Sequence, residues 1–456
     1  MPTASDSAAC TVAIVGAGPA GMAAATLAAE LGLEVVLIDQ QPHPGGQIYR
    51  ANGATSPDRR PLPGDEYAHG ASLFDALSCS GARFVSGAMV VSVTPGGAGI
   101  EIGLAVDRKP ATIVARKLIL ATGAQERPFP IPGWTLPGVM SAGAAQVLLK
   151  SAAIVPEQRT VVAGCGPFIY LVAWQMLQAG VELAGIIDTL QRARLLRALP
   201  HAWQFARSQY YKEQTSILQE VNESVAIFRG ATAIAALGNE RLVSVRYVAN
   251  GTVTTLLADQ LFLHQGFVPD VVLSGATGCD HEWDDALLCW KPRVDRWGAS
   301  SMADVYIAGD AAGIVGARAA EHRGRLAALA AAAASGHIGA AVRDRDAAPH
   351  FAALARALRG RAFGDSLYRP AEQFRKAEGA TIVCRCEKVT AHEIVGAMRG
   401  GSPGTEELKA SLRCGAGACQ GRLCALTINE LVGRERGEHP RDTGMLRARF
   451  PLVLGG

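Results

Sequence analysis

Short apolar runs alternate along this chain with turns rich in glycine. TVAIV (11–15) meets GAGPAG, an alanine-rich stretch follows, and EVVLID (34–39) ends in an acid. Runs of this length with many β-branched residues read as buried strands, and the alanine-rich stretch between them as a helix. KLILATGA (117–124) and VYIAGDAAG (305–313) are further apolar strands, running into Thr-Gly and Gly-Asp. A second strand, turn and helix begin at TVVAGCGPFIYLVAWQMLQAG (160–180), the next strand ends in GIID at Asp188, and LFLHQGFVPD (261–270) adds another strand. The alternation predicts an α/β fold with parallel sheets. RLAALAAAAASGHIGAAV (325–342) is apolar, but Ser335, Gly336 and His337 interrupt it, so it reads as a buried helix rather than a membrane span.

At 456 residues the chain exceeds one typical core, and two or three domains are expected. Its 51 glycines, with 49% hydrophobic residues, suit the close backbone packing of nucleotide-binding folds. A net charge of +3 and the lack of a basic stripe interleaved with aromatics argue against nucleic acid as a partner. MPTASDSAAC has no basic stretch of the kind that opens a signal peptide. Cytoplasmic residence is therefore expected, where disulfides are rare, with peripheral contact at the inner membrane left open.

GAGPAG sits where a dinucleotide fingerprint requires it, between a strand and a helix. Gly16 permits the tight turn, Gly18 lets a pyrophosphate approach the backbone, and Gly21 lets the helix pack closely on the strand. The helix N-terminus offers free N–H groups and partial positive charge to the phosphates. Asp39 stands where a carboxylate can hold ribose hydroxyls. The second fingerprint keeps Gly164, Gly166 and Asp188 but has Ile169 at the third glycine position. A large β-branched residue there should push the helix away or force a different turn, and ordinary NAD(P)H binding is doubtful. Arg192 and Arg194 suit either a ribose phosphate or a solvated helix face, and His264 either a flavin pocket or a packed strand.

With these features the chain resembles the flavoproteins with two dinucleotide-binding domains, of the glutathione-reductase type. The resemblance implies FAD, or another adenine nucleotide, in the first site. It places that ligand on Gly16, Gly18, Pro19, Ala20, Gly21, Asp39, Gln40, Gly46, Gln47, Val90, Ala121, Thr122, Gly123, Gly309, Asp310 and Ala317. Asp310 would face the ribityl chain or cap the next helix, from about Val315, whose dipole would stabilise a reduced ring. A disulfide reductase of this fold needs a C-x-x-C pair, and the chain has none.

Cys10, Cys79, Cys165, Cys279 and Cys289 are scattered and read as inert core residues. The other five lie in TIVCRCEKVT (381–390) and RCGAGACQGRLC (413–424), separated by what read as two short helices. Thiolates in close pairs suit a zinc site or an iron–sulfur cluster. The C-x-C spacing argues against zinc, and glycines 415 and 417 allow backbone N–H groups near sulfide. CRCE with RCGAGACQGRLC resembles the bacterioferritin-associated-ferredoxin type of [2Fe–2S] domain. On that match Cys384, Cys386, Cys414 and Cys419 are the ligands, and Cys424 packs on the helix.

GGQIYR (45–50), ERPFPIPGWTLPGVMSAGAAQVLLK (126–150), GDAAGIVGA (309–317) and the cysteine-rich tail together resemble the α subunit of heteromeric FAD-dependent amino-acid dehydrogenases. That group includes opine oxidases, proline and hydroxyproline dehydrogenases and hydrogen cyanide synthase. The resemblance implies an electron-relay subunit. The C–N bond of an amino acid or secondary amine would be oxidised on a β subunit that carries FAD and is similar to D-amino-acid oxidase. It also implies FMN at a subunit interface, a small ferredoxin-like γ subunit, and a quinone or cytochrome as acceptor. The alternatives are a stand-alone NAD(P)H-dependent reductase that feeds the same cluster, and a non-redox subunit with structural nucleotide. The expected organisation is a discontinuous FAD-binding domain (1–150 and 266–345) and an inserted NAD(P)-binding-like domain (151–265). A linker (346–376) and a [2Fe–2S] domain with tail (377–456) follow. No catalytic residue is assigned.

Overall fold

The computed structural model describes residues 8–50, 65–97, 99–401 and 404–452. The strand expected at TVAIV runs Ala8–Val15 and is the centre of a largely parallel sheet. Val35–Ile38 pairs with it on one side and Lys109–Leu120 on the other, both in parallel register. Arg83–Val85 and Val305–Ile307 extend the sheet, also in parallel. Ala88–Gly96 and Gly99–Val106 join Lys109–Leu120 as an antiparallel meander.

Helices Pro19–Glu30 and Ala317–Ala334 pack together on one face of this sheet, burying an alanine-rich core. Their closeness explains the composition: a Cβ on Gly324 would stand 2.1 Å from the Ala20 carbonyl oxygen. Nothing larger than hydrogen fits at that crossing. The apolar segment at 325–342 is the end of the second helix, which stops at Ser335 before a new helix starts at Ala340.

A second parallel sheet runs in the order Ile227–Arg229, Leu183–Asp188, Thr160–Gly164, Gln260–His264, Val139–Ser141. An antiparallel sheet of Ala231–Leu237, Ser244–Ala249 and Thr252–Leu257 covers part of it. Helix Ala142–Ala152 buries Ala142, Ala145 and Leu149 in the same core as Ile169 and Phe262. The chain thus joins the second sheet before the boundary at 151 read from the sequence. The segment read as a linker is folded too. Helix Ala340–Ala357 crosses its start, and helix Arg361–Leu367 follows, with Phe363 stacked on Phe205 at 4.5 Å.

The cysteine-rich unit has its own core of Val383, Ile394, Leu408, Ile428 and Leu431. The two short helices between its cysteine segments are Ala391–Arg399 and Thr405–Leu412. Thr390 and Glu393 form a reciprocal cap on the first, which satisfies two N–H groups that the helix start would leave unpaired. The unit is fixed to the rest of the molecule by polar contacts. Trp134 Nε1 donates to the Ile382 carbonyl at 2.7 Å, Trp290 Nε1 donates to Asn429 at 3.3 Å, and Arg375 pairs with Glu430.

Candidate functional site

The first fingerprint forms as the spacing predicts. Gly16 has φ +102°, and a Cβ there would lie 2.3 Å from the Ala121 carbonyl oxygen. A Cβ on Gly21 would lie 1.8 Å from the Gly16 oxygen, so this glycine seats the helix against the strand turn. Gly18 differs, because a Cβ there would meet only the Gly46 Cα, at 3.8 Å. Pro19 is the first residue of the helix and Ala20 packs on Gly309. Asp39 accepts hydrogen bonds from Ala17 N at 2.6 Å and Gln41 N at 2.8 Å, so its carboxylate braces the fingerprint loop. Gln40 and Gln47 are exposed nearby, whereas Val90 is buried in the core beneath the meander.

Thr122, Gly123, Asp310 and Ala317 are partly exposed and Ala121 is buried, at the ends of neighbouring strands and the start of the following helix. Asp310 accepts from Val315 N at 2.7 Å and Gly316 N at 3.0 Å, which fixes the turn before helix Ala317–Ala334. Arg323, which the sequence pattern did not mark, donates to the Gly309 and Gly313 carbonyls at 3.1 and 2.7 Å and braces the same turn from inside the helix. A Cβ on Gly123 or Gly316 would meet nothing within 4 Å. Open space beside Gly18, Gly123 and Gly316, with tight packing at Gly16, Gly21 and Gly309, is what a dinucleotide cradle needs.

The second fingerprint folds into a different turn. Gly166 has φ +106° where Gly18 has φ −76°, and Ile169 is fully buried in the core with Val162 and Ile186. The helix therefore stays on its strand, and the altered turn makes room for the larger residue. Asp188 is also buried, and its carboxylate accepts from Tyr170 Oη at 2.6 Å and Leu190 N at 2.8 Å. Burial raises the Asp188 carboxyl above the usual carboxylate range. The Cys165 thiol, inside the fingerprint, donates to the Tyr368 carbonyl at 3.7 Å, which brings the folded segment after residue 360 onto this turn. Arg192 is exposed, while Arg194 is half-buried and depressed by burial and by the neighbouring Arg369. His264 is packed between Phe168 and Phe267 and bonded through Nδ1 to Glu126 at 2.7 Å, in line with a strand role.

The five tail cysteines come together. The largest effect on Cys384 is a hydrogen bond from the Cys424 thiol, which with backbone N–H groups including that of Gly415 lowers it to about 6. Cys386 and Cys419 form a second thiol pair. Cys424 was expected to pack on its helix. As the residue before helix Ala425–Arg436 it is fully buried in one core with Ile428 and Leu431 of that helix, and its thiol also interacts with Cys384. The Cys414 thiol donates to the Leu408 carbonyl at 3.4 Å, and burial pushes it up to about 12. A Cβ on Gly417 would lie 2.4 Å from the Cys386 Cβ, so this loop can close on Cys386 only with glycine there. Among the described residues no group of three or more His, Cys, Asp or Glu side chains is arranged to hold a metal ion. Paired thiols on a glycine-rich loop with inward backbone N–H groups fit the donor set of an iron–sulfur cluster. Of the scattered cysteines, Cys10, Cys165, Cys279 and Cys289 are buried, and burial raises each thiol. Cys79, expected in the core, is exposed at the end of its helix.

Residues 10–336 match the model of the pyridine nucleotide-disulphide oxidoreductase family. This chain belongs to that family. Residues 382–434 match the BFD-like [2Fe–2S] binding domain, so this family member couples a FAD/NAD-binding fold to an iron–sulfur domain. It is 42% identical over 449 residues to an opine oxidase subunit of Agrobacterium tumefaciens (strain Ach5), covering 96% of this chain and 89% of that one. It is 34% identical to hydrogen cyanide synthase subunit HcnB of Pseudomonas aeruginosa, covering 96% and 95%. L-proline dehydrogenase from P. horikoshii shares the fold at a TM-score of 0.72 and 19% identity, over 99% of this chain and 79% of that one. The likeness of this oxidoreductase to the two sequence relatives thus runs through both of its units, the nucleotide-binding fold and the iron–sulfur domain. No helix among its described residues is long and apolar enough to cross a membrane.

Proposed function

We propose that this chain is the electron-relay subunit of a heteromeric flavin-dependent dehydrogenase or oxidase. The observation that carries the reading is the altered second dinucleotide site. Tyr170 takes the carboxylate that would hold a ribose, Ile169 replaces the third glycine, and the segment bearing Tyr368 lies against the fingerprint turn. A chain built this way lacks an entry for hydride from NAD(P)H, so its electrons come from a partner. The relatives named above as subunits favour such an assembly.

The substrate is an amino acid or secondary amine, of opine or proline and hydroxyproline type. A FAD-bearing partner subunit similar to D-amino-acid oxidase removes two electrons and two protons from its C–N bond, leaving an imine. A ferredoxin-like third subunit, FMN at the contact between subunits, and a quinone or cytochrome acceptor complete the assignment. A flavin supplies the exchange between two-electron and one-electron steps, and a [2Fe–2S] cluster supplies one-electron transfer. The chain's own residues hold and space these groups. Gly16, Gly18, Gly21, Asp39, Gly123 and Asp310 frame the first site. Cys384, Cys386, Cys419 and Cys424 would hold the cluster, a set favoured because the Cys414 thiol is turned away to the Leu408 carbonyl while Cys424 interacts with Cys384 and Cys419 with Cys386.

The relay reading is tested by mixing the purified chain with NADH or NADPH without air, and by assaying amine oxidation with and without the co-purified partner. Oxidation only with the partner is expected, and fast flavin bleaching by NAD(P)H would contradict it. For the cluster, iron and labile sulfide should survive Cys414→Ser and be lost in Cys424→Ser. The reverse outcome would restore Cys414 to the ligand set.

A further inference from the structure

Between the first nucleotide site and the cysteine loop lies a charged pair that the functional reading does not use. Arg422 sits in the loop between Cys419 and Cys424, and its Nε donates to Asp270 Oδ2 at 3.0 Å. Its Nη1 donates to the Cys419 carbonyl at 3.5 Å, and its own carbonyl accepts from Gln125 Nε2 at 3.0 Å. Asp270 faces the other way through its backbone. Its N–H donates to the Gly123 carbonyl at 3.0 Å, and its carbonyl accepts from Thr122 Oγ1 at 3.2 Å. Its second carboxylate oxygen accepts from Val272 N at 3.0 Å, which fixes the side chain. The Asp270 side chain is 15% exposed and that of Arg422 38%.

We propose that Asp270 and Arg422 form the electrostatic coupler of the relay, a positioning pair that fixes the cluster loop to the first site and balances the charge added when either site is reduced. This rests on the relay reading for the direction of electron flow. The balance itself follows from charge alone. Arg422 is bonded to the backbone of a cluster cysteine, so its positive charge favours the reduced, more negative cluster. Asp270 opposes that effect and limits it. Hydrogen bonds and charges just outside the ligands commonly set the potentials of such centres. Docking does not depend on this pair, because Trp134 to Ile382, Trp290 to Asn429 and Arg375 to Glu430 also hold the two units together.

The test compares Arg422→Gln, Asp270→Asn and the double variant, each in the full chain with its partner. A potentiometric titration with dithionite, followed by the paramagnetic signal of the reduced cluster, needs no physiological donor. Arg422→Gln should lower the cluster potential and Asp270→Asn should raise it, with iron and sulfide content unchanged. The double variant should return close to the starting value. In single turnover with the amine, cluster reduction should slow on the order of tenfold in all three, because the fixed loop contact is lost. Should Arg422→Gln lose iron, Arg422→Lys keeps the charge and should hold the potential while still slowing transfer. Potentials that shift in the same direction in the two single variants, or do not shift, would overturn the proposal. A purely structural latch would move both alike. Because the titration uses dithionite, its outcome is independent of whether NAD(P)H or a partner subunit supplies the electrons.

Discussion

Lys150 shows how a single side chain near the first site carries a measurable cost. It is buried, its Nζ donates to the Ile48 carbonyl at 3.2 Å, and burial, with Arg50 nearby, lowers it from 10.5 to about 8. An unfolded chain binds that proton up to about 10.5, whereas the folded protein releases it near 8. Between these values the unfolded state holds more protons, so stability should rise with pH across that window, by on the order of 3 kcal/mol. Urea unfolding of the wild type and Lys150→Met across the window checks this, because the variant should lack the rise. An equal rise in both proteins would remove Lys150 as its source. At this scale the sequence was informative where covalent geometry decides, as at Gly16, Gly18 and Gly21. It was silent where a long side chain reaches a distant carbonyl, as Lys150 and Arg323 do. Tyr170 follows the fingerprint directly, yet its bond to Asp188 depends on how the helix is rotated, which no spacing rule supplies.

At the scale of elements, the two fingerprints show what one residue changes. Gly21 is closed by backbone, with a would-be Cβ 1.8 Å from the Gly16 oxygen, whereas Gly18 faces open space. Gly21→Ala should therefore unseat the helix and lower stability by several kcal/mol, a cost of overpacking against an immobile turn. Gly18→Ala should keep the fold, since φ −76° suits alanine, but weaken nucleotide retention because its methyl group occupies the cradle. Thermal unfolding and released-flavin fluorescence together separate the two effects. Equal stability losses would contradict the distinction. The strand–turn–helix units were legible because a run of buried parallel strands needs unbroken apolar residues. The strand Val139–Ser141 was not, because three residues carry too little periodicity to assign to either sheet. The cysteine spacing likewise indicated a metal site and set Cys424 aside as a packing residue. Spacing does not reveal that a residue just before a helix can turn its thiol back to a strand.

Across the whole molecule, the decisive arrangement is two nucleotide-binding folds with different fingerprint turns, and an iron–sulfur unit fixed beside the first. Composition and motifs conveyed the number of units and their chemistry, because each motif is local. They did not convey that residues after 360 fold onto the second fingerprint, a contact between segments some 200 positions apart in sequence. We read that contact as favouring a relay over a reductase, since an NAD(P)H-dependent enzyme needs the second site accessible. The most direct measurement is anaerobic stopped-flow spectroscopy of the flavin-loaded chain, first with NADH or NADPH and then in complex with its partner and an amine substrate. The account predicts no rapid loss of flavin absorbance with either nicotinamide, and reduction of flavin and cluster in the complex when the amine is added. Rapid bleaching of the isolated chain by NADH or NADPH would contradict it.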